Sequence, residues 1–264
     1  MANSSHAAAA DAAGVANQLP IFFQKPVPLD LRRHDKAGLL PSQDFSFARA
    51  TNSILINAQE MVETSRYYPI IFTQDELTLP AVIVGLEKQN YFVDAKGRWT
   101  EGTYIPAYVR RYPFVFMDIA DKKQLALCID EGAANFRKNG GKGVLPLYEG
   151  ENPSPLTRHA LEFCTAFQSD HLVTRRFCED VKAAGLLVPN RSTAKLSNGR
   201  EINLTGFQII DENKVNALAD ETILEFHKKG WLPIIYCALM STSNWKRLAD
   251  MAGKHELSST LEEF

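Results

Sequence analysis

Short runs dense in aromatic and β-branched residues punctuate the first half of the chain, whereas the second half opens on a long stretch whose apolar positions recur at helical spacing. Residues 67–73 and 81–86 read as strands, because branched and aromatic side chains fit a pleated, half-buried surface. Tyr91-Phe92-Val93 and Arg98-Trp99 flank Asp94-Ala95-Lys96-Gly97, a hairpin turn whose glycine stands where a positive φ is wanted. Residues 112–117 and 124–129 predict a further antiparallel pair, joined by a turn at 120–123. Residues 105–111 fit a helical turn or a loop with Pro106 at its start, and residues 54–61 fit a strand or a short helix. About six strands with short connections favour an antiparallel or mixed sheet over repeated βαβ units.

In the second half, Ala160, Phe163, Cys164, Phe167, His171, Cys178 and Val181 form an amphipathic stripe over residues 157–184, a helix that wants a partner surface. Gly185 closes it as a left-handed cap residue. A β-hairpin over 192–210 follows, turning at Ser197-Asn198-Gly199-Arg200, and Asn-Gly is among the stronger short-range hairpin signals. Asp211 and Asp220 read as N-caps of two short helices, Gly230 ends the second, and Pro233 stands near the start of a last helix reaching about residue 251. The predicted class is α+β, with the sheet in the first half and helices around an inserted hairpin in the second. The expected division is a flexible tail over 1–18, a mainly β region over 19–131, a Gly/Pro-rich loop over 132–155, a mainly helical region over 156–252 sharing its core with 19–131, and a frayed tail over 253–264.

Composition narrows the function classes. With 45% hydrophobic and 23% charged residues, 264 residues can bury a substantial core and keep a solvated surface. A net charge of −2 argues against a protein held on nucleic acid by bulk electrostatics, a mode that needs a basic excess. No apolar run approaches the ~20 residues that span a bilayer, and the first 17 residues lack the basic and apolar regions of a secretory signal. Cys128, Cys164, Cys178 and Cys237 form neither a Cys-x-x-Cys pair nor zinc-finger spacing, so they read as small hydrophobes in a reducing compartment. A cytoplasmic protein is the expectation.

The chemically suggestive residues are few. His159 and His171 share a helix but stand three turns apart, and there is no His-Glu-x-x-His, so no metal site is expected. Gly140-Gly141-Lys142-Gly143 lacks the Ser/Thr and the helix of a phosphate loop, Gly-x-Ser-x-Gly is absent, and no cofactor motif is present. Asp130 and Glu131 end a strand, where sites often lie, and are the candidate catalytic acids. Arg110-Arg111 beside Tyr112 has the donors to clamp a carboxylate or phosphate. With Trp99 and Tyr108 they form the candidate binding face, since tyrosine, tryptophan and arginine concentrate where proteins bind proteins.

Several motifs together resemble the SapC family. They run from Ser65-Arg66-Tyr67-Tyr68-Pro69-Ile70-Ile71-Phe72 through Phe92-Val93-Asp94 and Gly97-Arg98-Trp99 to Tyr104-Ile105-Pro106-Ala107 and Arg110-Arg111-Tyr112-Pro113-Phe114. Leu127-Cys128-Ile129-Asp130-Glu131, Ala184-Gly185-Leu186-Leu187-Val188-Pro189, Leu204-Thr205-Gly206-Phe207, Ile210-Asp211-Glu212 and Ile235-Tyr236 continue the likeness in order over residues 20–250. The family takes its name from surface-layer loci, where a member is associated with a paracrystalline protein coat and its export. The resemblance implies a protein partner and a cytoplasmic accessory role in making, modifying or exporting a surface protein. Two other readings stand beside it: an enzyme using Asp130 and Glu131 with Arg110 or Arg111 around a pocket, and a subunit of the coat itself.

Overall fold

The computed structural model describes residues 19–119, 124–195 and 201–262. The tail expected over 1–18, the turn at 120–123 and the Asn198-Gly199 turn lie outside them. The proline-rich opening contributes β1 (Pro26–Pro28), a helical turn α1 (Leu31–His34) and β2 (Gly38–Leu39). The ambiguous stretch that follows holds both alternatives. β3 (Ser53–Leu55) leads through a 3-10 turn (Ala58–Glu60) into α2 (Met61–Thr64). β4 (Ile70–Thr73), β5 (Pro80–Ile83), α3 (Ala107–Arg110), β6 (Phe114–Ile119) and β7 (Gln124–Asp130) complete the first half. The Tyr91–Trp99 hairpin shrinks to one bridge between Val93 and Trp99, because the Asp94 carboxylate takes the N–H groups of Lys96 and Arg98 at 2.9 Å and tightens the turn.

Within the Gly/Pro-rich stretch lie four short strands, β8 (Phe136–Arg137), β9 (Leu145–Pro146), β10 (Tyr148–Glu149) and β11 (Asn152–Pro153). Then comes α4 (Pro155–Ala183), begun by a Ser154 side chain that accepts the Thr157 N–H and ended by Gly185 at φ +68. β12 (Leu187–Lys195), β13 (Glu201–Ile210), α5 (Glu212–Asn216), α6 (Asp220–Lys229), α7 (Trp231–Ser241) and α8 (Asn244–Glu262) follow. Asp211 caps α5 as expected, but the N-cap of α6 is Ala219. Asp220 stands one place inside, where its charge still faces the positive end of the helix.

The last helix is two. Its break lets polar side chains satisfy backbone from the end of α2 to the start of β4: Ser241 Oγ accepts the Ile70 N–H at 3.0 Å, and Asn244 Nδ2 donates to the carbonyls of Ser65 (2.7 Å) and Tyr68 (3.3 Å). α8 runs on to Glu262, past the expected end near 251, through helix-forming residues that no proline interrupts.

The pairings are antiparallel throughout, and the architecture is α+β. The largest sheet has the order β12-β13-β4-β5-β3, so the hairpin of the second half extends a sheet begun in the first, with Phe207 opposite Thr73. Three smaller sheets, β1-β7-β6, β8-β2-β9 and the pair β10-β11, are built from strands that precede β3 or lie between β5 and β12. The main core packs Tyr68, Phe72 and Phe92 with Phe177, Leu186, Ile235 and Leu248. A second core joins Leu39, Phe114, Ile129 and Leu147 to Ala160 and Cys164. α4 therefore serves both: its first half packs the small core and its second half the large one. Its 29 residues span about 44 Å, long enough to do so.

Candidate ligand-binding cleft

The segment from Tyr104 to Tyr112 carries both arginines and is held at each end by a buried carboxylate. At the first end, Glu60 is 7% exposed; its Oε1 accepts the Ala107 N–H at 2.6 Å and the Tyr104 hydroxyl at 3.0 Å. Its Oε2 accepts the Asn57 N–H at 2.9 Å and closes a capping box with the Asn57 side chain. Burial pushes the Glu60 carboxyl up and the Tyr104 phenol to about 12. At the other end, Asp130 is fully buried, and its oxygens accept the N–H groups of Lys25 (2.7 Å), Gln24 (2.9 Å) and Gly132 (3.0 Å) and the Tyr112 hydroxyl (3.2 Å). Burial, reinforced by Asp130, raises the Tyr112 phenol, and its ring stacks on Phe47 at 4.1 Å.

Between these ends the two guanidinium groups part. Arg110 is exposed; its Nε donates to the Ile105 carbonyl and its Nη2 to the Tyr104 hydroxyl, both at 3.0 Å, and its plane lies over Tyr104 (5.5 Å) and Phe163 (5.2 Å). Arg111 is 8% exposed and lies over Tyr108 (4.0 Å) and Phe167 (4.6 Å). Phe163 and Phe167 are one turn apart on α4, so each arginine meets its own aromatic ring on that helix.

The result is a cleft of about 380 Å³ between this segment, the chain leaving β2, and the first half of α4. Arg110, Arg111 and Tyr112 form one side and Leu156, His159 and Phe163 the other, with Leu39 to Ser42 between. Behind it, a cavity of about 60 Å³ is lined by Arg111, Tyr108, Asn57, Gln168 and His171. Among the described residues, no three His, Cys, Asp or Glu side chains converge to hold a metal ion.

The model of the SapC family matches residues 29–248, which takes in every residue of this cleft. The chain belongs to the SapC family. No curated protein and no solved structure matches it. Among the described residues of this SapC-family chain, no helix is long and apolar enough to cross a membrane.

Of the residues singled out in the sequence, the structure brings Arg110, Arg111 and Tyr112 together at the cleft. Tyr108 faces the inner cavity and is 1% exposed. Trp99 is enclosed in the main core, where its Nε1 donates to the Tyr68 hydroxyl at 3.2 Å and its ring meets Phe45 edge-on. Asp130 reaches the cleft only through Tyr112. Glu131 turns away from it and takes a two-pronged ion pair from Arg33, with both contacts at 2.6 Å, and a third contact from Lys25 at 2.9 Å. The Arg33 bonds hold the Glu131 carboxyl down to about 2. His34 Nε2 lies 3.5 Å from the same carboxylate, and burial keeps this imidazole below its ordinary value. Sequence reasoning missed Glu60, although Asn57-x-x-Glu60 has capping-box spacing, and it missed the α4 wall, whose stripe was read only as wanting a partner surface.

Proposed function

We propose that this SapC-family protein is a binding protein that holds a segment of a partner protein in the cleft. Its role is that of a cytoplasmic accessory to the production, modification or export of a surface or outer-membrane protein. One observation carries the reading: a concave site of about 380 Å³ set with arginine, tyrosine and phenylalanine from two separate parts of the chain. Sites of this size bury most of a small ligand or a few residues of a peptide, and arginine and aromatic side chains dominate the energetics of protein recognition. The two acids that an enzyme reading needs are occupied elsewhere, Asp130 by backbone N–H groups and Glu131 by Arg33 and Lys25.

Site-specific photo-crosslinking in the native host tests this. A cross-linking residue in place of Leu145, on the cleft wall, is expected to capture one discrete partner, whereas the same residue at Leu224 on α6, equally exposed, captures none. The same adduct from both positions, or recovery of the protein in a surface coat on fractionation, overturns the proposal.

A further inference from the structure

We infer that the segment held in the cleft presents a carboxylate beside an apolar side chain, with the carboxylate seated on Arg110. The inference rests on reading the cleft as a partner site and names the chemistry that would occupy it. The first argument is charge. The chain carries 31 acidic and 29 basic residues, yet the cleft lining holds Arg110, Arg111 and His159 and no Asp or Glu. An excess of acids over the whole chain and their absence from one concave surface leave that surface complementary to an anion.

The second argument is the state of Arg110. Two of its five N–H groups are committed, one to the Ile105 carbonyl and one to the Tyr104 hydroxyl. Among the described residues no carboxylate lies within ion-pair distance of it, whereas Arg33, Arg66 and Arg98 each have one. Its plane is already fixed between two aromatic rings and two hydrogen bonds, so little side-chain entropy remains to be lost when an anion binds. Tyr104 accepts from Arg110 and donates to Glu60, which ties the guanidinium to the interior.

The third argument chooses among anions. Arg111 is buried against Tyr108 and Phe167, so Arg110 is the accessible guanidinium, a match for a singly charged planar carboxylate. A phosphate dianion carries twice the charge that one accessible guanidinium balances. Apart from Ser42, Tyr112, Asn135 and His159 the remainder of the lining is apolar, with Leu39, Leu145, Leu156 and Phe163 prominent, so the group next to the carboxylate is apolar too.

The test uses the full-length protein and defined probes: N-acetyl-leucine, its amide, inorganic phosphate, and hexapeptides carrying leucine beside either a C-terminal carboxylate or an internal glutamate. Binding is read by the side-chain Nε–H resonances of the arginines. N-acetyl-leucine is expected to shift the Arg110 signal saturably and to bind roughly tenfold more tightly than its amide. Arg110→Gln removes that preference, Arg110→Lys restores part of it, and Leu156→Ala, on the apolar wall, weakens acid and amide alike. Which hexapeptide binds better tells a chain terminus from a glutamate side chain, and either result supports the inference. An amide as tight as the acid, an acid preference that survives Arg110→Gln, or phosphate binding above N-acetyl-leucine overturns it. If every probe fails while Leu145 still cross-links a partner, the carboxylate is wrong and the cleft reading stands. If the free acid binds and both peptides are excluded, the cleft serves a small molecule and the partner-segment reading falls.

Discussion

Replacing Asp130 is the sharpest test of the assignment of this acid to architecture. Its carboxylate is fully buried and accepts four hydrogen bonds, three of them from backbone N–H groups in the segment just before β1 and the turn after β7. Asn keeps the shape but turns one oxygen into a donor. If the amide oxygen faces Lys25 and Gly132, the amide nitrogen meets the Gln24 N–H and the Tyr112 hydroxyl. The hydroxyl can rotate and accept, but the Gln24 N–H is left without an acceptor, a loss of about 1–3 kcal/mol. The two bonds that remain lose their charge assistance, which adds about 1 kcal/mol. Asp130→Asn should therefore lose about 2–4 kcal/mol. Asp130→Ala orphans three backbone donors and should approach the stability of an ordinary domain, about 5 kcal/mol or more. Urea unfolding with linear extrapolation measures both. A loss below about 1 kcal/mol for Asn, at an unchanged denaturant slope, would refute the reasoning. Tyr112→Phe keeps the stack on Phe47 and should cost only about 1 kcal/mol.

The acid limb of stability should resolve into two parts, read as the urea midpoint between roughly pH 7 and pH 2. Burial lowers the His34 pKa, so stability falls as pH drops through the ordinary 6.5 and the unfolded chain takes up a proton; His34→Gln should flatten that part. Glu131 is held down to about 2 in the folded protein, so its contribution is present above 4.5 and is lost as pH falls from 4.5 toward 2; Glu131→Gln should flatten that lower part, and an unchanged curve in either variant would count against its ion pair or its burial. Glu60→Gln sets an amide donor against the Asn57 or the Ala107 N–H and should cost about 1–3 kcal/mol, with faster hydrogen exchange at Ala107; unaltered exchange there would mean that Glu60 does not hold α3. Phe177→Ala removes a fully buried ring between Phe72 and Trp231 and should cost about 3–5 kcal/mol, while tryptophan fluorescence and circular dichroism still report one coincident transition. Two separated transitions would show that the halves do not share the main core.

Local signals read well from the sequence because their causes are local. Aromatic and branched density placed β4 to β7, the amphipathic stripe placed α4, and Gly185 and Asp211 marked helix ends by backbone conformation and side-chain capping. Sheet order was not readable. Thr73 and Gln208 are joined by a hydrogen bond across 135 positions, and nothing in either short run names the other. The site divides the same way. Arg110, Arg111 and Tyr112 stood out as a dense Arg–Tyr run, but the facing wall belongs to a helix whose stripe said only that it sought a partner. Asp130 and Glu131 drew attention as paired acids. Their partners are backbone N–H groups near residue 24 and an arginine at 33, and such long-range acceptor roles leave no mark on the spacing of residues.

The buried carboxylates explain why the cleft has a fixed form. Glu60 binds Tyr104 and the first residue of α3, and Asp130 binds Tyr112, so the nine residues from Tyr104 to Tyr112 are tied down at both ends. Each acid is itself held by a different part of the fold: Glu60 by the 3-10 turn before α2, Asp130 by the segment leading into β1 and its own turn. On the facing side, Cys164 and Ala160 fix the first half of α4 in the small core, while Phe177 and Val181 fix its second half in the large one. Both walls are thus set by interior contacts rather than by the ligand. An exposed arginine on so fixed a wall has little freedom to lose, so in the proposed reading the selectivity of the cleft follows from where Arg110 already points.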